Sequence, residues 1–270
     1  MTKVIVAGAA GRMGRRLCDM VRQHPGLTLS GAFEQADSPF VGKDVGEVAG
    51  FGATGVRIAP GLEAVIDQGD VIIDFTFHKA TMEFVKVAAR HRRAMVIGTT
   101  GLTADNLAVL RNTAEAHFPC IQSPNMAVGV NVLFKLVEKL AAVLGNAFDV
   151  EIVEAHHRMK MDAPSGTALK LGEMAAAGLG RNLAEVGVYE RHGMIGERSD
   201  KEIGIQTVRA GDIVGDHTVY FAGAGERIEV IHRAHSRDNF ARGAALAAAW
   251  VAGRPNGLYT MFDVLDLAKF

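Results

Sequence analysis

The sequence predicts an α/β protein, with a doubly wound parallel-sheet domain joined to an α+β domain that holds a mixed sheet. Three observations carry this. Short apolar runs rich in β-branched residues alternate with helical-period segments through the first half, the pattern of parallel strands with helices on both faces. A glycine cluster stands directly between the first such run and the first helical pattern. Beyond Met126–Val128 the pattern changes to longer segments of period two or mixed period, separated by glycine-bearing turns, which suits a mixed or antiparallel sheet.

In order, KVIVAG (Lys3–Gly8) reads as a buried strand, and Met13, Leu17, Met20 and Val21 then share one helical face. LTLSGAF (Leu27–Phe33) is a second strand, followed by a glycine-rich irregular stretch to about Pro60. VIIDFT (Val71–Thr76), AMVIGTT (Ala94–Thr100) and CIQSPN (Cys120–Asn125) are further strands, with helical patterns at Ala80–Arg90 and Thr103–His117. A long amphipathic pattern through Val130, Phe134, Val137, Leu140, Ala141 and Leu144 precedes the strand DVEIVEAH (Asp149–His156). A helix over Ser165–Gly178, strands at Ile203–Gly211, His217–Gly223 and Arg227–His235, an alanine-rich helix over Asp238–Val251 and a short final helix complete the chain. The expected division is 1–127 with 237–270 for the first domain and 128–236 for the second.

Composition narrows the function classes. A formal net charge of −1 gives no bulk attraction for nucleic acid or an anionic membrane, so any anion site must be local. The two cysteines, Cys18 and Cys120, fall in different elements without metal or redox spacing. They read as buried, reduced thiols. The first residues, MTKVIVAGAAGRMG, lack a secretory apolar region and cleavage site, and no later run approaches the roughly 18 residues of a membrane span. Cytoplasmic residence is the expectation.

Gly8-Ala9-Ala10-Gly11-Arg12-Met13-Gly14 joins the first strand to the first helix with the spacing G-x-x-G-x-x-G. Glycine permits the tight turn, small residues let a pyrophosphate approach backbone N–H groups, and the helix N-terminus favours its charge. Arg12 adds a cation. Glu34 ends the second strand at the distance expected of a carboxylate that accepts hydrogen bonds from ribose hydroxyls. These features read as a Rossmann-type dinucleotide site. Glu34-Gln35 leans toward NADH, because a carboxylate repels a ribose 2′-phosphate, while Arg12, Arg15 and Arg16 could offset that repulsion. NADH and NADPH both stay open.

Gly98-Thr99-Thr100-Gly101 closes another buried strand. Alone it is equally a threonine-capped turn. Asp74-Phe75-Thr76 and Ser123-Pro124-Asn125-Met126 end strands at the same predicted sheet edge. Strand C-termini of such sheets line the cofactor crevice, and the convergence favours a site there.

Glu154–Ala168, EAHHRMKMDAPSGTA, concentrates an imidazole pair, a cation and a small-residue turn that opens a helix. Imidazole gives up a proton near neutral pH. Lys160 offers a fixed charge to a carboxylate, and the N–H groups after Pro164, at Ser165, Gly166 and Thr167, can bind an anion. Adjacent residues on a strand face opposite ways, so His156 and His157 serve one site only if the strand ends there. A strand histidine taken alone is more often a structural residue. Beside the lysine and the turn, His156 reads as a proton donor, and His157 as either a carboxylate contact or a packing residue. No metal site is expected. His232 and His235 lie three apart on a predicted strand, His217 is isolated, and no cysteine or carboxylate stands at ligand spacing. Among the late arginines, Arg237 is the one expected to matter, where the chain returns to the first domain.

Taken together, GAAGRMG, DFT, GTTG, SPNMAVGVN, EAHHRMKMDAPSGTA and HRAHSRDNFARGAALAAAW resemble the 4-hydroxy-tetrahydrodipicolinate reductase (dihydrodipicolinate reductase) family over essentially the whole length. The resemblance implies NAD(P)H-dependent reduction of a cyclic dicarboxylic imine in lysine and diaminopimelate biosynthesis. It also implies a substrate domain that closes over the cofactor domain, and a homotetramer. It casts His156 as the proton donor and Lys160 as the group that holds and polarises the substrate. His157, Ser165, Gly166, Thr167 and Thr100 would meet the two carboxylates. Gly8, Ala9, Ala10, Gly11, Arg12, Met13, Glu34, Gly98, Thr99, Thr100, Ser123, Pro124, Asn125 and Met126 would line the cofactor. Gln35 departs from the arginine common at that place, and Phe77-His78 departs from the pattern common after DFT. Two other readings stand beside it: another two-domain nicotinamide dehydrogenase of amino-acid type, and a nicotinamide-sensing regulator without catalysis.

Overall fold

The computed structural model describes residues Met1–Phe270. Along the chain run β1 (Thr2–Ala7), α1 (Arg12–Gln23), β2 (Leu27–Phe33), α2 (Val45–Ala49), β3 (Ile58–Ala59), β4 (Val71–Asp74), α3 (His78–His91), β5 (Ala94–Ile97), α4 (Ala104–His117) and β6 (Pro119–Gln122). Then follow α5 (Val128–Leu144), β7 (Asp149–His156), α6 (Gly166–Gly178), α7 (Leu183–Val186), β8 (Gly187–Val188), β9 (Ile203–Arg209), β10 (Gly215–Gly223) and β11 (Glu226–Ala234). The chain ends with α8 (Asp238–Val251), β12 (Gly257–Tyr259) and α9 (Met261–Val264). Two compact units emerge, Met1–Val128 with Arg237–Lys269, and Gly129–Ser236 with Phe270. No helix is long and apolar enough to cross a membrane.

The first unit is a seven-stranded sheet in the order β12-β6-β5-β4-β1-β2-β3, with every neighbouring pair parallel. Its central strands are buried throughout, Val71–Asp74 and Ala94–Ile97 among them, because helices cover both faces. One face packs α1 and α8 over Val4, Val6, Val71, Ile73 and Val96. The other packs α3 and α4 over Ile5, Ile72, Met95 and Ile97. Five alanines of α8 (Ala241, Ala244, Ala245, Ala247 and Ala248) are buried, and their small side chains let that helix approach α1 closely. Both thiols are buried, and loss of solvation pushes Cys18 up to about 12 and Cys120 higher still, which keeps them inert.

The second unit is a mixed five-stranded sheet, β11-β10-β7-β9-β8. β7 lies antiparallel to β10 and parallel to β9. One face of β7 carries Val150, Ile152, Glu154 and His156, all buried, alternating with partly exposed Glu151, Val153 and Ala155. The opposite face holds an ion-pair network in which Arg191 and Arg198 bind Glu151 and Glu202.

Several sequence expectations shift in detail. The strands end at Asp74, Ile97 and Gln122, so Phe75-Thr76, Gly98–Thr100 and Ser123–Asn125 lie past them as turns. The irregular stretch before Pro60 contains the short α2 and β3, and β12 adds a strand that the sequence reading omits. At three residues, β12 is too short to show periodicity. β11 stops at Ala234, so His232 is on the strand and His235 is beyond it.

Candidate active site

The first unit reverses direction between β1 and β4: β2 and β3 extend the sheet one way, β5, β6 and β12 the other. In an open α/β sheet this switch point is where a crevice forms at the strand C-termini. The Gly8–Gly11 turn leaves β1 there, and Asp74–Thr76, Gly98–Gly101 and Ser123–Met126 leave β4, β5 and β6 at the same edge.

The glycine turn is shaped for close approach. Gly8 has φ +58, a conformation side chains disfavour. A Cβ on Gly14 would sit 2.0 Å from the Gly8 carbonyl oxygen, so only glycine lets α1 start this tightly against β1. Gly11 is the N-cap of α1 and offers no side chain to its first N–H groups, which therefore remain available to an anion. The Ala10 N–H donates to Glu34 Oε1 at 2.8 Å, fixing the carboxylate at the end of β2 beside the turn. Arg12 is exposed at the first position of the helix. Such a cradle has the shape and the N–H donors to fit a dinucleotide pyrophosphate.

Thr99 is buried and accepts a hydrogen bond from the Thr76 N–H at 3.0 Å, while Thr100 and Pro124 are exposed at the rim. Asp74 anchors this rim from below, accepting from the Thr76 hydroxyl at 2.6 Å and the Thr81 hydroxyl at 2.5 Å. Its burial raises the carboxyl pKa, and the threonine hydrogen bonds oppose that rise. Ser123 donates to the Asn125 carbonyl at 3.1 Å, and Asn125 Oδ1 accepts from the Ala127 N–H at 2.9 Å, so this segment folds on itself above β6. Met126 is buried. Phe77 is exposed and packs against His78, with ring centroids 4.1 Å apart.

In the second unit one end of the mixed sheet gathers a polar cluster. β7 ends at His156, and the chain turns at once, with the Lys160 N–H bonded to the His157 carbonyl. Glu154, two residues before His156 and so on the same face, is fully buried. Its carboxylate accepts from His156 Nδ1 at 2.6 Å, Ser165 N at 3.0 Å and Thr207 Oγ1 at 3.3 Å. Arg209, opposite His156 on β9, grips both carboxylate oxygens at 2.8 Å. Burial alone would raise the Glu154 pKa. The hydrogen bonds from His156, Arg209 and Ser165 outweigh it and hold the group well below the ordinary carboxylate range.

Ser165 is the N-cap of α6, its hydroxyl accepting from the Ala168 N–H at 3.2 Å. That hydroxyl also lies 3.3 Å from His217 Nε2. Gly166 and Thr167 open the helix, Gly166 exposed and Thr167 partly so. Lys160 Nζ pairs with both oxygens of Asp162, at 2.8 and 2.9 Å. The cluster thus brings together an imidazole, a lysine and a helix N-terminus, groups of the kind that can protonate and hold an anion.

His156, Lys160, Ser165, Gly166 and Thr167 come together here, with His157 adjoining. Among the cofactor-lining candidates, the Gly8–Met13 turn, Glu34, Gly98–Thr100 and Ser123–Met126 collect at one sheet edge. Sequence reasoning missed Glu154, Thr207 and Arg209. Two-residue spacing on a strand signals Glu154, but the arginine arrives from a strand far away in sequence. His217, expected to be isolated, is instead buried against Ser165 and the edge of the His156 ring, 5.2 Å between centroids. The antiparallel register of β10 on β7 brings it there. No group of histidine, cysteine and carboxylate side chains has the makings of a metal site.

The dihydrodipicolinate reductase N-terminus family matches residues 2–126, and the dihydrodipicolinate reductase C-terminus family matches residues 129–265. The chain belongs to the dihydrodipicolinate reductase family. The 4-hydroxy-tetrahydrodipicolinate reductase of Desulfotalea psychrophila (strain LSv54 / DSM 12343) is 66% identical over 267 residues, covering 99% of each chain. That of Syntrophus aciditrophicus (strain SB) is 56% identical over 265 residues, covering 98% of each. Among solved structures, dipicolinate-bound dihydrodipicolinate reductase from Paenisporosarcina sp. TG-14 is 27% identical, with a TM-score of 0.76 over 97% of this chain and 98% of that one. Membership in the dihydrodipicolinate reductase family accounts for both units, which an amino-acid dehydrogenase sharing only the glycine-rich half would not.

Proposed function

We propose that the protein reduces 4-hydroxy-tetrahydrodipicolinate to tetrahydrodipicolinate with NADH or NADPH, in the route to diaminopimelate and lysine. The overall balance consumes the substrate, NAD(P)H and a proton, and yields the product, NAD(P)⁺ and water. Membership of the family and the relatives' activity support the reaction. The observation that carries the mechanism is the buried His156, held through Nδ1 by Glu154 at the mouth of an α-helix.

The nicotinamide, when bound, supplies a hydride, the chemistry no side chain can provide. The Gly8–Met13 turn would hold its pyrophosphate and Glu34 a ribose, with Gly98, Thr99, Thr100, Ser123, Pro124, Asn125 and Met126 lining the rest. His156 gives its proton to the carbon that becomes electron-rich on reduction, a contribution of typically 10²–10⁴-fold. Lys160 and the N–H groups of Gly166 and Thr167 hold one substrate carboxylate and stabilise developing charge. His157 and Thr100 are the remaining carboxylate contacts. Ser165 contributes by capping the helix, because its hydroxyl and N–H are engaged inside the fold.

We propose a cytoplasmic homotetramer that binds neither nucleic acid nor membrane. The exposed Val208 and Ile231 on the mixed sheet support an oligomer through the second unit. The deciding assay follows oxidation of NADH or NADPH in the presence of the condensation product of pyruvate and aspartate semialdehyde. Loss of reduced-nicotinamide absorbance is expected. No change with either cofactor contradicts the reaction.

A further inference from the structure

Which ring nitrogen of His156 carries the proton to substrate is set by the groups that surround the ring. Glu154 is the only carboxylate that touches the ring, and it is ringed by donors. Five hydrogen bonds reach its two oxygens, from His156, Ser165, Thr207 and the two terminal nitrogens of Arg209. An ionised carboxylate can only accept. His156 Nδ1 must therefore carry a hydrogen whether the ring is neutral or charged, and the proton that leaves must leave from Nε2.

On β10, which pairs Asp216 with Ala155 and His217 with Glu154 of β7, the first residue is Gly215. A Cβ at Gly215 would lie 3.0 Å from His156 Nε2 and 3.4 Å from Cδ2. Gly215 is not among the positive-φ glycines, so its backbone would accept alanine without strain. What excludes a side chain is the imidazole edge itself. Glu154 pins one nitrogen at 2.6 Å, so the ring cannot swing away to relieve such a contact.

Resting on the proposed role of His156, we infer that Glu154 and Gly215 are positioning residues that make Nε2 the proton-donating atom. Glu154 fixes the tautomer and rotation of the ring, and Gly215 leaves the space beside Nε2 in which a substrate carbon can receive the proton. Arg209 keeps the carboxylate charged and correctly turned. His217 packs its ring edge-on against His156 and limits tilting. When the proton leaves, the N–H bond at Nε2 breaks and a C–H bond forms on the substrate. The electron pair stays on Nε2, and the neutral ring keeps its hydrogen on Nδ1.

Glu154→Gln tests this. The amide NH₂ must face a donor at either oxygen position, and the least crowded solution turns it toward His156, where it donates to Nδ1 and moves the ring hydrogen to Nε2. That tautomer is neutral with its only hydrogen on Nε2, and it becomes an imidazolium able to give that proton up only by taking a second one on Nδ1, against the amide N–H that now faces it. The expected result is a loss in kcat of about 10²–10⁴-fold, with the dissociation constant for NADH unchanged. The double variant Glu154→Gln/His156→Gln should be no slower than His156→Gln alone, since groups acting as one unit are not additive. A merely structural defect lowers turnover equally in both backgrounds, so multiplicative losses overturn the inference, as does wild-type kcat in Glu154→Gln.

Gly215→Ala, which leaves the carboxylate network intact, covers the case in which Glu154→Gln fails to fold. It should lower kcat at least tenfold with NADH binding retained, and wild-type kcat overturns the role of Gly215. His156→Gln separates the donor role from the positioning. Slow His156→Gln with normal Glu154→Gln and Gly215→Ala rejects the positioning alone, whereas normal His156→Gln rejects the donor assignment and the positioning with it.

Discussion

Ser165 Oγ and His217 Nε2 lie 3.3 Å apart although the residues are separated by 52 positions. The contact joins the cap of α6 to the start of β10 and buries an imidazole whose Nδ1 has no hydrogen-bond partner. Burial, then the neighbouring His156, His232 and Lys160, depress its pKa from 6.5 to about 3, against the opposing pull of Glu154.

That depression is a stability statement. The unfolded chain takes up a proton at His217 below its ordinary pKa and the folded one does not, so the contribution is present above 6.5 and is lost as pH falls toward about 3. Between pH of about 7.5 and about 5 this group alone should cost roughly 2 kcal/mol. Urea unfolding of His217→Gln should show a flatter profile by that amount. An identical slope in wild type and variant contradicts the buried neutral imidazole.

Arg209 neutralises a carboxylate that is fully buried. Removing one partner of a buried ion pair leaves an uncompensated charge and costs roughly 3–5 kcal/mol. Arg209→Ala should lower the urea midpoint accordingly. A change within experimental error would mean that Glu154 is solvated or protonated.

At the glycine turn, a Cβ on Gly14 would lie 2.0 Å from the Gly8 carbonyl oxygen and 2.7 Å from Ala9 Cα. Gly14→Ala must therefore push the start of α1 away from β1. Calorimetric titration should show loss of NADH binding by more than tenfold, with far-ultraviolet dichroism retained. Wild-type affinity would place the pyrophosphate elsewhere.

Glu34 is fixed by the Ala10 N–H, and in its proposed place beside the ribose its charge would repel an added 2′-phosphate. Glu34→Gln should raise NADPH affinity relative to NADH by about tenfold, a change of roughly 1.4 kcal/mol. An unchanged ratio of the two dissociation constants would remove Glu34 from the ribose end.

What the sequence made legible follows the range of the interaction. The alternating apolar runs and the G-x-x-G-x-x-G turn are local signals, and they located β1, α1 and the sheet edge that gathers Gly98–Thr100 and Ser123–Met126. The end of β7 at His156 was legible as the last residue of the DVEIVEAH pattern. Arg209 and His217 were not, because they reach Glu154 and Ser165 through the register of β9 and β10 on β7, which no single segment encodes. Ser165 shows the converse. Read from the sequence only as a carboxylate contact, it is buried, and its hydroxyl accepts from the Ala168 N–H at the cap of α6.

The central claim is that His156 protonates the substrate during nicotinamide-dependent reduction. The most direct measurement is steady-state turnover of His156→Gln in the coupled assay, alongside its NADH dissociation constant. A fall in kcat of about 10²–10⁴-fold with cofactor affinity unchanged is the predicted result. Undiminished turnover, or a loss matched by equal loss of NADH binding, would contradict it.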